Sequence, residues 1–174
     1  MFPKLVGITG KKRSGKDTFA KVLTDSGWYR RVALADPLKA DVAAFCGVTV
    51  EELEARKEAF RAVMQAYGTR RRKEDVNYWV HKVAFACGMA WAHGLAVVVP
   101  DIRYLNEAQW VASAGGVLVR VHRTGLSEDR SPEGRHSSEI EQDTIEVAYE
   151  YYASIPQGVQ DNAIDFLRIY QKEE

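Results

Sequence analysis

The sequence has few cysteines, no excess of charge and no long apolar segment. Only two of its 174 residues are cysteines, Cys46 and Cys87, which excludes a disulfide framework and a cysteine-rich zinc site. Both lie in apolar helical patterns, so we expect buried thiols in a reducing compartment. The longest clean apolar run, residues 95–99, is far shorter than the roughly 20 residues that a membrane helix needs. The opening residues lack the apolar region of a signal peptide, and we expect a cytoplasmic protein without a membrane segment.

The charge balance argues against a protein that coats nucleic acid. Lys and Arg together number 24, and Asp and Glu also number 24, so the formal net charge is zero. Proteins that bind DNA stably are usually clearly basic, because they must neutralise phosphates. Hydrophobic residues make up 46% and charged residues 28% of the chain, as in ordinary globular proteins. A chain of this length favours a single domain, residues 1–174, with a substantial core.

Short apolar segments alternate with amphipathic ones along the chain. Strands are predicted at residues 5–9, 31–35, 95–99, 116–122 and 149–155. Helices are predicted at residues 15–24, 38–45, 49–66, 75–93, 106–114, 137–146 and 161–171. The alternation indicates an α/β fold of three layers, with a central, mainly parallel five-stranded sheet flanked by helices. In such sheets, ligands bind beyond the carboxyl ends of the strands.

The most specific motif is GKKRSGKDT at residues 10–18, which fits the phosphate-loop pattern G-x-x-x-x-G-K between a strand and a helix. Small residues in such a loop let backbone N–H groups turn toward a phosphate chain, and the helix N-terminus adds partial positive charge. The lysine reaches the β- and γ-phosphates. The candidate nucleotide-binding residues are Gly10, Lys12, Arg13, Ser14, Gly15, Lys16, Asp17 and Thr18.

The loop departs from the usual pattern at the residue after the lysine. A Ser or Thr hydroxyl normally binds Mg²⁺ there, whereas this chain has Asp17 followed by Thr18. A carboxylate is a suitable ligand for this hard cation, directly or through water. A second candidate Mg²⁺ ligand, Asp101, follows the apolar segment 95–99, where a turn or helix-capping role is the alternative. Arg103 is expected at the same edge of the sheet.

Five segments together resemble the bacteriophage-type deoxynucleoside monophosphate kinases. They are KRSGKDT at 12–18, ALADPLKADVAAFCGVT at 33–49, YGTRRRKEDVNYWV at 67–80, VVVPDIRYLNEAQWV at 97–111 and RHSSE at 135–139. The resemblance covers most of residues 4–140 and implies a phosphate-loop kinase fold. It also implies transfer of the γ-phosphoryl group of ATP, with Mg²⁺, to a deoxynucleoside monophosphate. Catalysis of that reaction rests on positioning and charge stabilisation, and no covalent intermediate is needed.

The resemblance assigns residues 36–80 to the acceptor and residues 123–138 to a lid. Arg103 and Arg72 are expected to bind phosphate, Arg72 because the guanidinium fork matches it. The other acceptor-binding candidates are Asp36, Lys39, Gly68, Thr69, Trp79, His136 and Glu139. A helix-capping role for Asp36 and a core role for Trp79 are the alternatives. Arg130 and Arg135 are the lid arginines best placed to reach the transferred phosphoryl group, and the choice between them stays open.

Other functions compete with this interpretation. Another small-molecule kinase, acting on phosphomevalonate, dephospho-coenzyme A or AMP, would use the same kind of loop. A nucleotide-dependent switch is disfavoured by the absence of an N/T-K-x-D motif. The basic run at residues 70–73 is the only support for nucleic-acid binding. The base and sugar of the acceptor and the oligomeric state, for which a homodimer is one option, are left open by the sequence.

Overall fold

The protein is described by a computed structural model that covers residues 2–125 and 141–171. Its strands are β1 (Leu5–Thr9), β2 (Tyr29–Arg31), β3 (Ala96–Val99), β4 (Val117–Arg123) and β5 (Tyr149–Ala153). Its α-helices are α1 (Lys16–Asp25), α2 (Ala35–Cys46), α3 (Val50–Ala55), α4 (Lys57–Glu74), α5 (Tyr78–Ala92), α6 (Leu105–Ser113) and α7 (Pro156–Gln171). A short 3₁₀ helix lies at Gln142–Thr144.

The strands form one five-stranded sheet in the order β2-β3-β1-β4-β5, and every pairing is parallel. One face packs on α5 and α6 through residues such as Val83, Cys87 and Val111. The other face packs on α1 and α7 through Phe19 and Phe166. A parallel sheet covered on both faces explains the continuous apolar strands. The predicted fold class, a parallel sheet between two helical layers, is confirmed.

Two element boundaries differ from the sequence-based prediction. The second strand is Tyr29–Arg31, not residues 31–35, because the apolar residues that follow are buried in a connection rather than in the sheet. The predicted helix 49–66 is divided at Arg56, and its second part, α4, extends to Glu74. The expected capping box is confirmed: the Thr49 hydroxyl accepts the N–H of Glu52, whose carboxylate accepts the N–H of Thr49.

The apolar face predicted for residues 75–93 is largely correct. Trp79, Val80, Val83 and Cys87 of α5 are at most 4% exposed. Val76, however, precedes the helix and is 57% exposed. Helical periodicity identified the core face but could not place the start of the helix, because Asp75 and Asn77 hydrogen-bond locally before the first turn.

The predicted helix at residues 137–146 reaches the described part of the chain only at its end. There the backbone forms the 3₁₀ turn Gln142–Thr144, and residues 145 and 146 are not helical. Within residues 2–125 and 141–171, no helix has the length and apolarity required to cross a bilayer.

Helices α2 to α5 occupy the connection between β2 and β3. Val42, Ala43 and Leu53 form a small separate core there, against which Phe60 and Met64 of α4 pack. We call these four helices the acceptor lobe, because they include most of the segment for which the sequence predicts acceptor binding. Helix α2 follows the carboxyl end of β2, and β2 is the neighbour of β3 in the sheet. The lobe therefore begins at the carboxyl edge of the sheet, where the phosphate loop follows β1 and Asp101 follows β3.

Candidate active site

The glycine-rich loop between β1 and α1 requires glycine at its first position. Gly10 has a φ of 140°, and a Cβ atom there would lie 2.3 Å from the carbonyl oxygen of Val121. Gly15 has a φ of 104°, and its Cβ would meet the Val159 side chain at 2.9 Å. At each position a larger residue is disfavoured for two reasons: the backbone has a positive φ, and a neighbouring atom occupies the space that a Cβ atom would need. The tight turn brings the loop against the end of β4.

The polar atoms of the loop fit a phosphate group. The Oγ1 atom of Thr9 and the Oγ atom of Ser14 are buried and have no hydrogen-bond partner among the described residues. Lys16 folds back over the loop, where its ammonium donates to the carbonyl oxygens of Gly10 at 2.5 Å and Lys11 at 2.7 Å. Because buried hydroxyls without hydrogen-bond partners are costly, the arrangement favours a bound anion that accepts hydrogen bonds from them.

The remaining residues of the loop surround this opening. Lys12, Arg13 and Asp17 are exposed, and Thr18 is half-buried in the first turn of α1. Asp17 is the acidic residue at the N-terminal end of that helix. Among the described residues there is no group of three His, Cys, Asp or Glu side chains arranged to hold a metal ion. Mg²⁺ is commonly held in proteins by one or two carboxylates together with the phosphates of the substrate.

Asp101, directly beyond β3, links the sheet to the acceptor lobe. Its carboxylate accepts the backbone N–H groups of Leu34 at 2.9 Å and Ala35 at 2.8 Å, at the beginning of α2. Burial raises the pKa of the Asp101 carboxyl, and the two N–H donors and the charges of Arg103 and Arg31 oppose this rise. Each carboxylate oxygen keeps a further lone pair, so the carboxylate still has acceptor capacity.

An ion pair with the buried Glu107 holds Arg72, which lies near the end of α4 and is itself partly exposed. Its Nη2 atom donates to Oε1 of Glu107 at 2.9 Å, and Glu107 is 1% exposed. The guanidinium lies over the ring of Tyr104, 4.0 Å from the ring centroid. The other amino nitrogen, Nη1, is buried and has no hydrogen-bond partner among the described residues. The site thus contains a cation held by Glu107 whose second amino group, Nη1, has no partner among the described residues.

The second oxygen of Glu107 organises the turn that carries Arg103. Its Oε2 atom accepts the backbone N–H groups of Arg103 at 2.8 Å and Tyr104 at 3.1 Å. Burial raises the pKa of the Glu107 carboxyl, against the opposing charge of Arg72. The role of Tyr104 was missed, because a tyrosine before a helix carries no recognisable signal.

Asp36 and Lys39 lie on the first turns of α2. Asp36 accepts the N–H of Ala33 at 3.2 Å and the guanidinium of Arg31 at 3.4 Å. The residue that precedes α2 is Leu34 and Asp36 lies inside the first turn of the helix, so the alternative interpretation of Asp36 as the N-cap is wrong. The Lys39 ammonium forms an ion pair with Glu54 and lies 3.7 Å from Asp36. The hydrogen bond from Lys39 lowers the pKa of the Glu54 carboxyl. Both candidates are therefore engaged within the acceptor lobe.

Trp79 belongs to the core rather than to an open base-binding surface. It is 1% exposed, packs edge-on against Tyr78, and donates its indole N–H to the carbonyl oxygen of Gly68 at 3.4 Å. A base cannot stack on a buried ring, which corrects its assignment to the acceptor site. Gly68 is buried as well. Thr69 is exposed on an open face of α4, in a shallow surface depression lined by residues of this helix.

Four candidate residues lie outside the described part of the chain. They are Arg130, Arg135, His136 and Glu139, all in or beside the segment expected to form the lid. Arg120, on β4, is directed elsewhere: its guanidinium donates to the carbonyl oxygens of Gln142 at 3.0 Å and Ile145 at 2.5 Å. Arg120 thus anchors residues 142–145, which lead to β5.

Comparisons with known proteins agree with this geometry. The family model described as phosphomevalonate kinase matches residues 8–116. A putative deoxynucleotide monophosphate kinase of Acanthamoeba polyphaga mimivirus is 28% identical over 160 residues, with 79% of this chain and 81% of the viral protein covered. The matched region contains the phosphate loop, the acceptor lobe and Asp101.

Solved structures share the fold. A dephospho-CoA kinase from Campylobacter jejuni superposes with a TM-score of 0.57 at 12% identity, covering 95% of this chain and 96% of that one. A shikimate kinase from Aquifex aeolicus gives a TM-score of 0.52 at 15% identity, covering 94% and 96%. At these identities the likeness establishes the phosphate-loop kinase fold and leaves the substrate open.

Proposed function

The chain belongs to the phosphomevalonate kinase family, and we propose that it transfers the γ-phosphoryl group of ATP to a deoxynucleoside monophosphate, giving the diphosphate and ADP. It is a kinase of the phosphate-loop type that acts on nucleotides or other small molecules. The observation that supports an acceptor bearing a phosphate group is Arg72, a cation held by Glu107 whose buried Nη1 has no partner among the described residues. A phosphate monoester supplies the acceptor that this donor lacks.

On the donor side, the loop holds the phosphate chain of ATP. The N–H groups of the loop and the hydroxyls of Thr9 and Ser14 donate to phosphate oxygens, and Lys16 exchanges its two carbonyl partners for the β- and γ-phosphates. Bound Mg²⁺ neutralises charge on the phosphate oxygens. Asp17 is the ligand we favour for it, with Asp101 contributing through a water molecule while it keeps its two backbone donors.

On the acceptor side, Arg72 and Arg103 bind the phosphate monoester and hold it in line with the γ-phosphorus. An oxygen of the acceptor phosphate forms the new bond to phosphorus while the bond to the ADP oxygen breaks. The leaving oxygen departs as part of ADP. Because the acceptor phosphate is already an anion at neutral pH, no general base has to remove a proton. Positioning and charge stabilisation therefore carry the catalysis.

The remaining expected residues complete the proposal. By the resemblance, Arg130 or Arg135 would contact the transferred phosphoryl group, and His136 and Glu139 would bind the nucleotide or brace a lid. These four residues lie outside the described part of the chain and stay predictions. Thr69, on the open face of α4, lies on the surface where the sugar and base of the acceptor would rest.

Phosphomevalonate is the second candidate acceptor, because the matching family model bears that name. Its terminal phosphate offers Arg72 the same chemistry. The nucleotide is favoured by the name of the viral relative, a putative deoxynucleotide monophosphate kinase, and by the resemblance of residues 67–80 and 97–111. The two candidates differ in the part of the molecule beyond the phosphate.

A panel of acceptors tests the proposal. ADP formation from ATP and Mg²⁺ is measured with dTMP, dGMP, dCMP, dAMP, their ribose counterparts, phosphomevalonate and dephospho-coenzyme A. We expect turnover with one or more deoxynucleotides. Turnover with phosphomevalonate or dephospho-coenzyme A alone would overturn the assignment of the acceptor, whereas the assignment as a kinase would stand.

A further inference from the structure

Glu107 is the most deeply buried carboxylate that contacts the candidate site. It is 1% exposed and receives three donors: Arg72 on one oxygen, and the backbone N–H groups of Arg103 and Tyr104 on the other. An ionised carboxylate is buried at a cost that only close partners offset. These contacts connect the two arginines that we assign to the acceptor phosphate.

We infer that Glu107 is a positioning residue that aligns Arg72 and the turn carrying Arg103 for one phosphate group. This inference rests on the proposed function. Glu107 accepts a hydrogen bond from Nη2 of Arg72, and the Tyr104 ring packs against the face of the guanidinium. Nη1 is then the amino group that donates to the incoming phosphate. Arginine would otherwise lose side-chain entropy on binding, and fixing it in advance reduces that cost.

A carboxylate is specifically required for this double contact. One oxygen must accept from a guanidinium while the other accepts two backbone N–H groups. A glutamine has one accepting oxygen, and its NH₂ group would face donors on the other side. Glu107→Gln, which keeps the volume, therefore breaks one of the two contacts.

A second carboxylate, which contacts the same helix from residue 141, provides the matched control. Glu141 accepts the N–H of Leu105, in the first turn of α6, at 2.8 Å, and its carboxylate has no described contact with Arg72. If Glu107 only stabilises the start of α6, Glu141→Ala will reproduce the effect of Glu107→Gln. If Glu107 acts through Arg72, the two variants will differ in acceptor kinetics.

Steady-state kinetics of the full chain test the inference, with the best acceptor from the panel. We expect Glu107→Gln to raise the acceptor KM about 10-fold or more, with the KM for ATP nearly unchanged. Glu141→Ala should leave the acceptor KM unchanged. In the Arg72→Ala background, adding Glu107→Gln should raise the acceptor KM no further, because the two residues act as a unit. Additive effects, or an unchanged acceptor KM in Glu107→Gln, would overturn the inference.

A readout that needs no turnover separates this inference from the proposed function. In ¹H–¹⁵N spectra, the Nε–H signal of Arg72 is assigned by its loss in Arg72→Lys and followed during titration with inorganic phosphate. We expect it to shift in the wild type and to respond more weakly in Glu107→Gln. The same response in both, or no response in the wild type, would overturn the role of Glu107. A phosphate response without turnover of any nucleotide would overturn the proposed function and leave the positioning role standing.

Discussion

The Oδ2 atom of Asp101 lies 2.8 Å from the backbone nitrogen of Ala35, although 66 positions separate the two residues in the chain. The bond joins the carboxyl end of β3 to the first turn of α2, where N–H groups otherwise lack acceptors. Together with the Arg72–Glu107 pair, it fastens the acceptor lobe to the edge of the sheet that carries the phosphate loop. The geometry of the site thus depends on carboxylates beyond β3.

Asp101→Asn should destabilise the protein. An asparagine can accept only one of the two N–H groups and turns its own NH₂ toward the other. We expect a loss of about 1–3 kcal/mol in the free energy of unfolding, measured by urea denaturation. Asp25→Asn is the control, because Asp25 forms only an exposed pair with Lys21 and its removal should cost less than about 0.5 kcal/mol. Equal stabilities of the two variants would contradict the anchoring role.

Gly10→Ala should disrupt the phosphate loop, because its Cβ would lie 2.3 Å from a backbone oxygen. Gly27→Ala is the matched control: Gly27 also has a positive φ, 81°, but no atom lies within 4 Å of its Cβ. We expect Gly27→Ala to cost about 1–2 kcal/mol in stability and to leave ATP affinity intact. In Gly10→Ala, calorimetric titration with MgATP should show affinity reduced at least about 10-fold. Normal ATP binding by Gly10→Ala would contradict the described loop geometry.

Lys16→Ala should abolish measurable turnover while the protein stays folded. The ammonium that compensates phosphate charge is lost, and we expect kcat to fall by about 100-fold or more. Lys21→Ala, one turn further along α1 and paired only with the exposed Asp25, should keep wild-type activity. Thermal melting of both variants checks the fold. Substantial activity in Lys16→Ala would contradict the role of the phosphate loop in phosphoryl transfer.

Much of this architecture was predictable from sequence, because it depends on local patterns. The strand of residues 5–9 and the loop after it were identified from an apolar run followed by glycines, and β1 is Leu5–Thr9. The carboxylate contacts of Glu107 were not predictable, because its arginine partner lies 35 positions away. Trp79 was assigned to the acceptor site by resemblance, whereas helical periodicity placed it correctly in the core.

The two cysteines should differ in reactivity. Burial raises the pKa of the Cys87 thiol from about 9 to about 11, whereas Cys46 is partly exposed. At pH 8 we expect iodoacetamide to label Cys46 in the folded protein, and both cysteines only after denaturation, as read by mass spectrometry. Rapid labelling of Cys87 in the folded protein would contradict the packing between α5 and the sheet.

Ionisation of the Cys87 thiol should destabilise the protein at alkaline pH. Its folded-state pKa is above the unfolded value, so its contribution to stability is fully present below pH 9 and is lost as pH rises through about 11. Urea denaturation between pH 8 and 11 should show a steeper decline for the wild type than for Cys87→Ala. Identical pH dependence of the two proteins would contradict the shifted pKa.

Direct observation of the products tests the central claim. ³¹P NMR can follow a reaction of the wild-type protein with ATP, Mg²⁺ and the most active deoxynucleoside monophosphate from the panel. The account predicts that the β-phosphate signal of a deoxynucleoside diphosphate grows in step with ADP, and that Lys16→Ala produces neither. ADP accompanied only by inorganic phosphate would mean hydrolysis without transfer, and would contradict the claim that this chain phosphorylates a deoxynucleotide.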